Sequence, residues 1–162
     1  MAYCLTAVAG ARSFGTAHKG LRLHRGVETT VFSRACAADE APCAMQHWWS
    51  GGNFEGYGLS RVRYYADNEA AVDLPFGLAH GLAPSDMDDN GPFSAGSLFG
   101  RTGAPLHSGM GGSGFFNTYS VPFGASINVT VTLHNVSGGS EYFWCILRGR
   151  TNVALSLPAG SG

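Results

Sequence analysis

The chain has 162 residues, the length of one domain, and 44% of them are hydrophobic, which is enough to bury a core. Charged residues make up only 13%, and glycine supplies 24 positions. This composition suits short strands and tight turns and argues against a helical bundle. The net charge of −1 provides no basic surface for nucleic acid. No apolar run reaches the roughly 20 residues of a membrane-spanning helix.

The N-terminal segment, residues 1–45, is poorly patterned and is predicted to contain one strand at most, over residues 27–33. Its first nine residues are apolar but lack the basic start of an export signal. Cys36 and Cys43 flank a short stretch and could form a disulfide across it if the protein is secreted. Cys145 lies in an apolar run and is interpreted as a small buried hydrophobic residue.

Residues 46–162 carry the clearest pattern, in which apolar and polar residues alternate in short runs between turn residues. The pattern predicts an all-β domain, an antiparallel β-sandwich that is jelly-roll-like. Pro75 indicates an edge strand or a bulge, and the residues 67–69 form a turn. Alternation points Tyr64 into the core and Tyr65 outward. Strands are predicted over residues 59–66, 71–78, 97–99, 115–122, 126–135, 142–147 and 152–157, with long loops over 80–93 and 100–114.

The run over residues 142–147 is nearly all apolar and predicts a central strand that is buried on both faces.

The succession WWSGG, VRYYADNE, LPFGLAHG, GFFNTYSVPFG and FWCILRGR, spread over about residues 47 to 158, resembles a family of long-uncharacterised β-proteins. Some members are glycoside hydrolases that act on difructose dianhydride and related furanosides, as double jelly rolls that form trimers. The resemblance implies that this chain is one jelly-roll half and forms homo-oligomers, with the trimer as the implied form. The family's catalytic glutamates lie in the other half, in a Gly-Thr-Glu-Asp-Tyr-Phe-like motif that this sequence lacks. No catalytic residue is therefore carried over.

Aromatic residues are the candidates for carbohydrate binding, because the apolar face of a sugar stacks on an aromatic ring. The alternative is that the same rings fill the core or a subunit interface. The candidates are Trp48, Trp49, Tyr57 and Tyr65.

Glycoside cleavage needs two carboxyl groups in one site, but the spacing of the acidic residues brings no specific pair together. The carboxylates considered are Glu55, Glu69, Asp73 and Glu141.

A metal site is suggested at one place only, where Asp86, Asp88 and Asn90 match the start of a calcium-binding loop. Position twelve of that loop is Ser97 rather than glutamate, so an Asx-rich turn is the alternative. No other cofactor is expected.

Two glycosylation sequons occur, at Asn128 and Asn135, and Asn135 is the better acceptor because it follows a strand. Localisation is left open and leans towards the outside of the cell.

The sequence therefore favours a non-catalytic jelly-roll module that binds carbohydrate or assembles with itself. The first alternative is a furanoside-type glycoside hydrolase, either as part of a longer enzyme or with a site completed between subunits. The second is a structural protein that forms capsids or fibrils.

Overall fold

A computed structural model describes residues 4–7, 10–52, 60–79, 100–106, 112–134 and 139–156 of the chain. In this part of the chain twelve strands and one helical turn are present, and no helix is long and apolar enough to cross a membrane. The elements are β1 (Cys4–Ala7), β2 (Ser13–His24), β3 (Glu28–Ala35), β4 (Cys43–Gly52), β5 (Arg61–Ala66), β6 (Glu69–Pro75), α1 (Phe76–Ala79), β7 (Gly100–Leu106), β8 (Gly112–Asn117), β9 (Val121–Phe123), β10 (Ser126–Thr132), β11 (Ser140–Arg150) and β12 (Val153–Ser156).

The strands form two antiparallel main sheets with jelly-roll connectivity. The larger sheet has the order β2-β11-β4-β8-β7, with β9 also paired to β4, and the smaller sheet has the order β3-β10-β5-β6. Consecutive strands from β2 to β5 alternate between the two sheets, so the chain winds around the core as a jelly roll does. Strands β1 and β12 form a separate two-stranded ribbon. The predicted all-β sandwich is confirmed.

The core lies between the two sheets and is built from the inward faces of strands such as β4, β5, β10 and β11. Along β5, Val62 and Tyr64 are buried, whereas Arg63 and Tyr65 point away from the core, as strand alternation requires. Trp48 of β4 is at the centre, with its ring centroid 5.8 Å from that of Tyr64, 5.9 Å from Phe76 and 6.4 Å from Phe143. Edge-to-face contacts of this kind join the sheets through side chains from four elements.

Most of the N-terminal segment belongs to the sandwich, because β2 lies in the larger sheet and β3 in the smaller one, whereas β1 pairs with β12 in the separate ribbon. The structure places three strands, β1 to β3, where the pattern indicated at most one. Strand β2 pairs with β11 over nearly its whole length, and its inward positions include Thr16 and His18, which weakens the alternation in the sequence. Pairing with a strand more than a hundred residues away supplies backbone hydrogen bonds whatever the side chains are. The boundary near residue 45 is therefore not a structural division.

Three local predictions also differ from the structure. Residues 100–106 and 112–114, expected as loop, belong to β7 and β8, which pair with each other. The strand expected to reach residue 78 ends at Pro75, and α1 follows it. Strand β11 is central, as predicted, but only one of its faces is fully buried, because Tyr142 on the other face is 56% exposed.

The turn and edge predictions for β5 and β6 are confirmed. Asp67 and Asn68 both have positive φ, 52° and 69°, which is the conformation of a two-residue type I′ hairpin. Strand β6 is the edge of the smaller sheet and carries a register shift opposite Tyr64 and Tyr65. Pro75 is its last residue, where a missing N–H group interrupts no central ladder.

Two cysteines are cross-linked and a third is a buried free thiol. Cys36 and Cys43 form a disulfide that ties the end of β3 in one sheet to the start of β4 in the other. Cys145 has a free thiol in the core. Burial raises the pKa of the Cys145 thiol to about 12, although a backbone hydrogen bond with His18 acts in the opposite direction.

Candidate functional site

An aromatic strip on the outer face of the larger sheet is the principal candidate site. It consists of Trp49 and Gly51 of β4 and Trp144 and Ile146 of β11, and Tyr142 continues it along β11. The antiparallel register places Trp49 opposite Ile146 and Gly51 opposite Trp144. Because Trp48, Cys145 and Leu147 point into the core, their neighbours along each strand point to the opposite, outer face.

Gly51 leaves room for the two indole rings of the strip. A Cβ atom built on Gly51 would lie 3.1 Å from Trp49 Cη2 and 3.6 Å from Trp144 Cε3. The rings therefore lie over the Gly51 backbone from both neighbouring positions, and the glycine is buried beneath them. Both indoles remain partly exposed. Two partly exposed tryptophans on adjacent strands provide an apolar surface broader than one ring.

Polar groups border the strip at both ends. His47 and Arg148 are the next opposed pair in the β4–β11 ladder. Burial, followed by the nearby Arg148 charge, lowers the pKa of His47 below its usual value, so its imidazole is neutral at pH 7 and can both donate and accept a hydrogen bond. At the other end the Arg22 guanidinium lies 5.9 Å from the Tyr142 ring centroid, and Arg22 Nε donates to Ser140 Oγ at 2.9 Å.

The predicted carbohydrate-binding residues do not form one site. Trp48 is 0% exposed and fills the core, so no ligand reaches it, in agreement with the alternative interpretation of that residue. Trp49 lies in the aromatic strip. Tyr65 is directed outward as predicted, but from the smaller sheet, on the opposite side of the sandwich from Trp49. Tyr57 lies outside the described residues.

Tyr65 belongs to an outer polar ladder that crosses the smaller sheet. Glu28 of β3 accepts hydrogen bonds at one carboxylate oxygen from Tyr65 Oη at 2.9 Å and from Thr130 Oγ1 at 2.6 Å. Its other oxygen is 3.0 Å from Arg63 Nη1. Arg63 Nε in turn donates to Asp73 Oδ1 at 3.1 Å. The ladder thus joins side chains from all four strands of that sheet.

The two carboxylates of the ladder are held in the ionised form. Hydrogen bonding from Thr130 is the largest effect on Glu28 and lowers its pKa, with Tyr65 and Arg63 adding to it. Hydrogen bonding from Arg61 is the largest effect on Asp73 and lowers its pKa as well. A glycosidase needs one carboxyl group that keeps its proton until it protonates the leaving group. Glu28 and Asp73 both have lowered pKa values, so each loses its proton more readily than an ordinary carboxyl group.

The remaining predicted sites are mostly beyond the described residues. The calcium candidates Asp86, Asp88 and Asn90 fall outside them, as do Glu55 and the sequon at Asn135. Asn128 lies in β10 between β3 and β5, on the same outer face as Tyr65. Over the described ranges, no group of three or more His, Cys, Asp or Glu side chains is arranged to hold a metal ion.

Two residues of the candidate site were missed in the sequence. Trp144 lies in the apolar run over residues 142–147, which predicts a strand buried on both faces. Gly51 is part of the WWSGG motif, and nothing in that motif indicates that two indole rings lie over it. Strict alternation was the available signal, because a buried Cys145 requires Trp144 and Ile146 to face the other way. Glu28 carried no such signal, since its partners are up to 102 residues away.

Comparison with known proteins adds no identification. No protein-family model matches the chain, and no curated protein is significantly similar to it.

Proposed function

We propose that this chain is a non-catalytic jelly-roll module that binds carbohydrate on the aromatic strip of its larger sheet. The observation that carries the proposal is the placement of the Trp49 and Trp144 rings over Gly51 on an outer sheet face. Sugar rings present a flat face of C–H groups that packs on indoles, while their hydroxyls need donors and acceptors at the rim. His47 and Arg148, the next opposed pair along the aromatic strip, are polar groups that sugar hydroxyls can contact.

Binding is tested with a glycan array, followed by titration calorimetry on any glycan that binds. Trp49→Ala and Trp144→Ala should each weaken binding about tenfold or more, since each removes most of one ring's contact area. Tyr65→Ala is the matched control, because it removes an aromatic side chain from the opposite face. Absence of glycan binding, or equal losses in Tyr65→Ala and Trp49→Ala, would contradict the proposal.

Gly51 offers a second, independent variant. A methyl group at Gly51 would meet Trp49 Cη2 at 3.1 Å, tighter than ordinary contact, so the ring must shift by a few tenths of an ångström. Gly51→Ala should weaken glycan binding less than Trp49→Ala does, and Gly51→Val should weaken it more than Gly51→Ala does. Near-ultraviolet circular dichroism verifies that each variant is folded. A loss of affinity in a folded variant then shows that the two indole rings of the aromatic strip contact the glycan.

Hydrolysis of furanosides is the alternative implied by the family resemblance. Glu28 and Asp73 are two carboxylates bridged by Arg63, and the lowered pKa values favour a structural ladder over acid catalysis. A chromogenic arabinofuranoside or fructofuranoside assay addresses this alternative directly. Turnover that disappears in Glu28→Gln or Asp73→Asn would replace the binding proposal with a catalytic one.

Self-assembly, with the trimer that the resemblance implies, remains a second proposed property. The 13% content of charged residues favours association. The β6 edge, however, is poorly suited to pairing with a strand of another copy. It carries a register shift, Pro75 and two carboxylates, those of Glu69 and Asp73. Light scattering over a range of protein concentrations separates monomers from trimers or filaments.

A further inference from the structure

Cationic side chains border the aromatic strip on the outer face of the larger sheet. Arg148 lies at one end of the strip on β11, and Arg22 of β2 is the register partner of Tyr142 at the other end. Lys19 is one of two β2 residues that lie opposite Trp144 at a register shift. All three cationic residues are exposed. Positive charge therefore stands at each end of the strip and along its β2 side.

Strand alternation places these cations on the same face as the indole rings. Leu23 and Leu147 are both 0% exposed, so their neighbours Arg22 and Arg148 point to the outer face. Lys19 is exposed between two partly buried neighbours in β2 and points the same way. A ligand that stacks on the indoles is thus within reach of three positive side chains.

No carboxylate of the described strands neutralises this face. The described strands of the larger sheet hold a single carboxylate, Glu141, and alternation turns it to the opposite face from Tyr142. The ion pairs within the described residues are made by other arginines, and none involves a cation of the strip. The face is therefore positively charged although the chain has a net charge of −1.

The spacing of the charges indicates the length of the ligand. Arg148 and Tyr142 are six residues apart on β11, which is about 20 Å in an extended strand. Arg22 lies beside Tyr142, with its guanidinium 5.9 Å from the ring centroid. One sugar ring is too short to reach both end cations. An oligosaccharide with acidic groups on several of its rings can reach both while it covers the indoles.

We propose that the aromatic strip binds an acidic oligosaccharide in preference to a neutral one. Its sugar rings stack on Trp49 and Trp144, and its carboxylate or sulfate groups pair with the bordering cations, Lys19, Arg22 and Arg148. This inference rests on the proposed function, because it names the class of glycan that the same site takes. Exposed ion pairs are weak, about 1.5- to 5-fold in affinity each, so charge selects among glycans that the indoles hold.

Matched glycan pairs test the inference on the full chain by titration calorimetry. A hexamer of galacturonic acid is compared with its methyl-esterified form, and a sulfated dextran oligomer with the unmodified oligomer. In at least one pair the acidic member should bind about 10-fold more tightly at about 20 mM salt. The preference should shrink towards equality at about 1 M salt, where charges are screened beyond about 3 Å. The pair that shows the preference identifies carboxylate or sulfate as the recognised group.

Substitutions locate the effect. Lys19→Gln and Arg148→Gln each remove one positive charge and should each reduce the preference about 1.5- to 5-fold. Arg61→Gln is the matched control, because it removes the same charge from the outer face of the smaller sheet and should leave the preference unchanged. Trp144→Ala should weaken both members of a pair, since both stack on the same ring. Acidic binding that survives Trp144→Ala undiminished would be charge attraction alone and would overturn the inference.

The remaining outcomes separate this inference from the proposed function. Binding confined to neutral glycans, equal affinity within both pairs, or a preference that Lys19→Gln and Arg148→Gln leave intact would overturn the inference while carbohydrate binding stands. Absence of binding to any glycan, neutral or acidic, would overturn both. Bases also stack on aromatic rings beside cations. Tighter binding of a single-stranded oligothymidylate than of every acidic glycan would therefore assign the face to nucleic acid and overturn both as well.

Discussion

Replacing Asp67 by glycine removes a carboxylate that joins two turns. Asp67 Oδ1 accepts hydrogen bonds from the backbone N–H groups of Ala125 at 2.7 Å and Ser126 at 2.8 Å, and Oδ2 accepts one from Gly124 at 2.8 Å. The side chain thus anchors the β9–β10 turn to the β5–β6 hairpin, 57 residues or more away in sequence. Glycine is the informative substitution because Asp67 has a φ of 52°, which glycine adopts without strain.

The magnitude follows from the number and exposure of these bonds. A hydrogen bond to a buried charged group contributes about 1.5–3 kcal/mol. The Asp67 carboxylate is exposed, and water can replace it at the freed N–H groups, so each bond contributes about 0.5–1 kcal/mol here. Asp67→Gly should therefore lower the free energy of unfolding by about 1.5–3 kcal/mol at pH 7. Asp67→Ala should lose about 1 kcal/mol more, because alanine is strained at positive φ.

The assay is urea unfolding followed by tryptophan fluorescence, with the disulfide kept oxidised, over a series of pH values. Burial alone would raise the pKa of Asp67, but the three N–H groups outweigh it and lower the pKa below its usual value. A lowered folded-state pKa means that the stabilisation is complete above the unfolded pKa, about 3.9, and is lost as pH falls through the folded pKa. The difference between the unchanged protein and Asp67→Gly should shrink below about pH 4. Equal stability at pH 7, or a difference independent of pH, would refute this reasoning.

Three further predictions concern the core and its cross-link. Replacing both Cys36 and Cys43 by serine should lower the unfolding free energy by about 2–2.5 kcal/mol, the chain-entropy value for so short a loop; an unchanged urea midpoint would contradict it. Gly149→Ala should cost about 1–3 kcal/mol or more in the same assay, because its methyl group would overlap the Phe14 ring and a neighbouring carbonyl oxygen. Cys145 should resist alkylation at pH 8 until urea unfolds the protein, as measured by peptide mass spectrometry, and labelling of the native state would contradict its burial.

The class of fold followed from the sequence because strand alternation is a local property. The two faces of β5 were predicted correctly from the alternation of Val62 and Tyr64 with Arg63 and Tyr65. Pro75 correctly indicated that β6 is an edge strand. The same rule failed for β2, where polar residues such as His18 face inward and the pairing with β11 overrides the pattern. Strand β7 and the start of β8 were missed for a related reason, since glycine-rich runs carry little alternation.

Sequence alone determined that the chain forms antiparallel strands packed as a sandwich, because the period-two pattern and the turn residues act over a few neighbouring positions. Only the tertiary structure decided which side chains meet. Trp49 and Tyr65 share no surface, whereas Trp49 and Trp144 share one. The physical reason is that strand order and register come from packing two sheets against each other, a property of the whole chain that no short segment encodes.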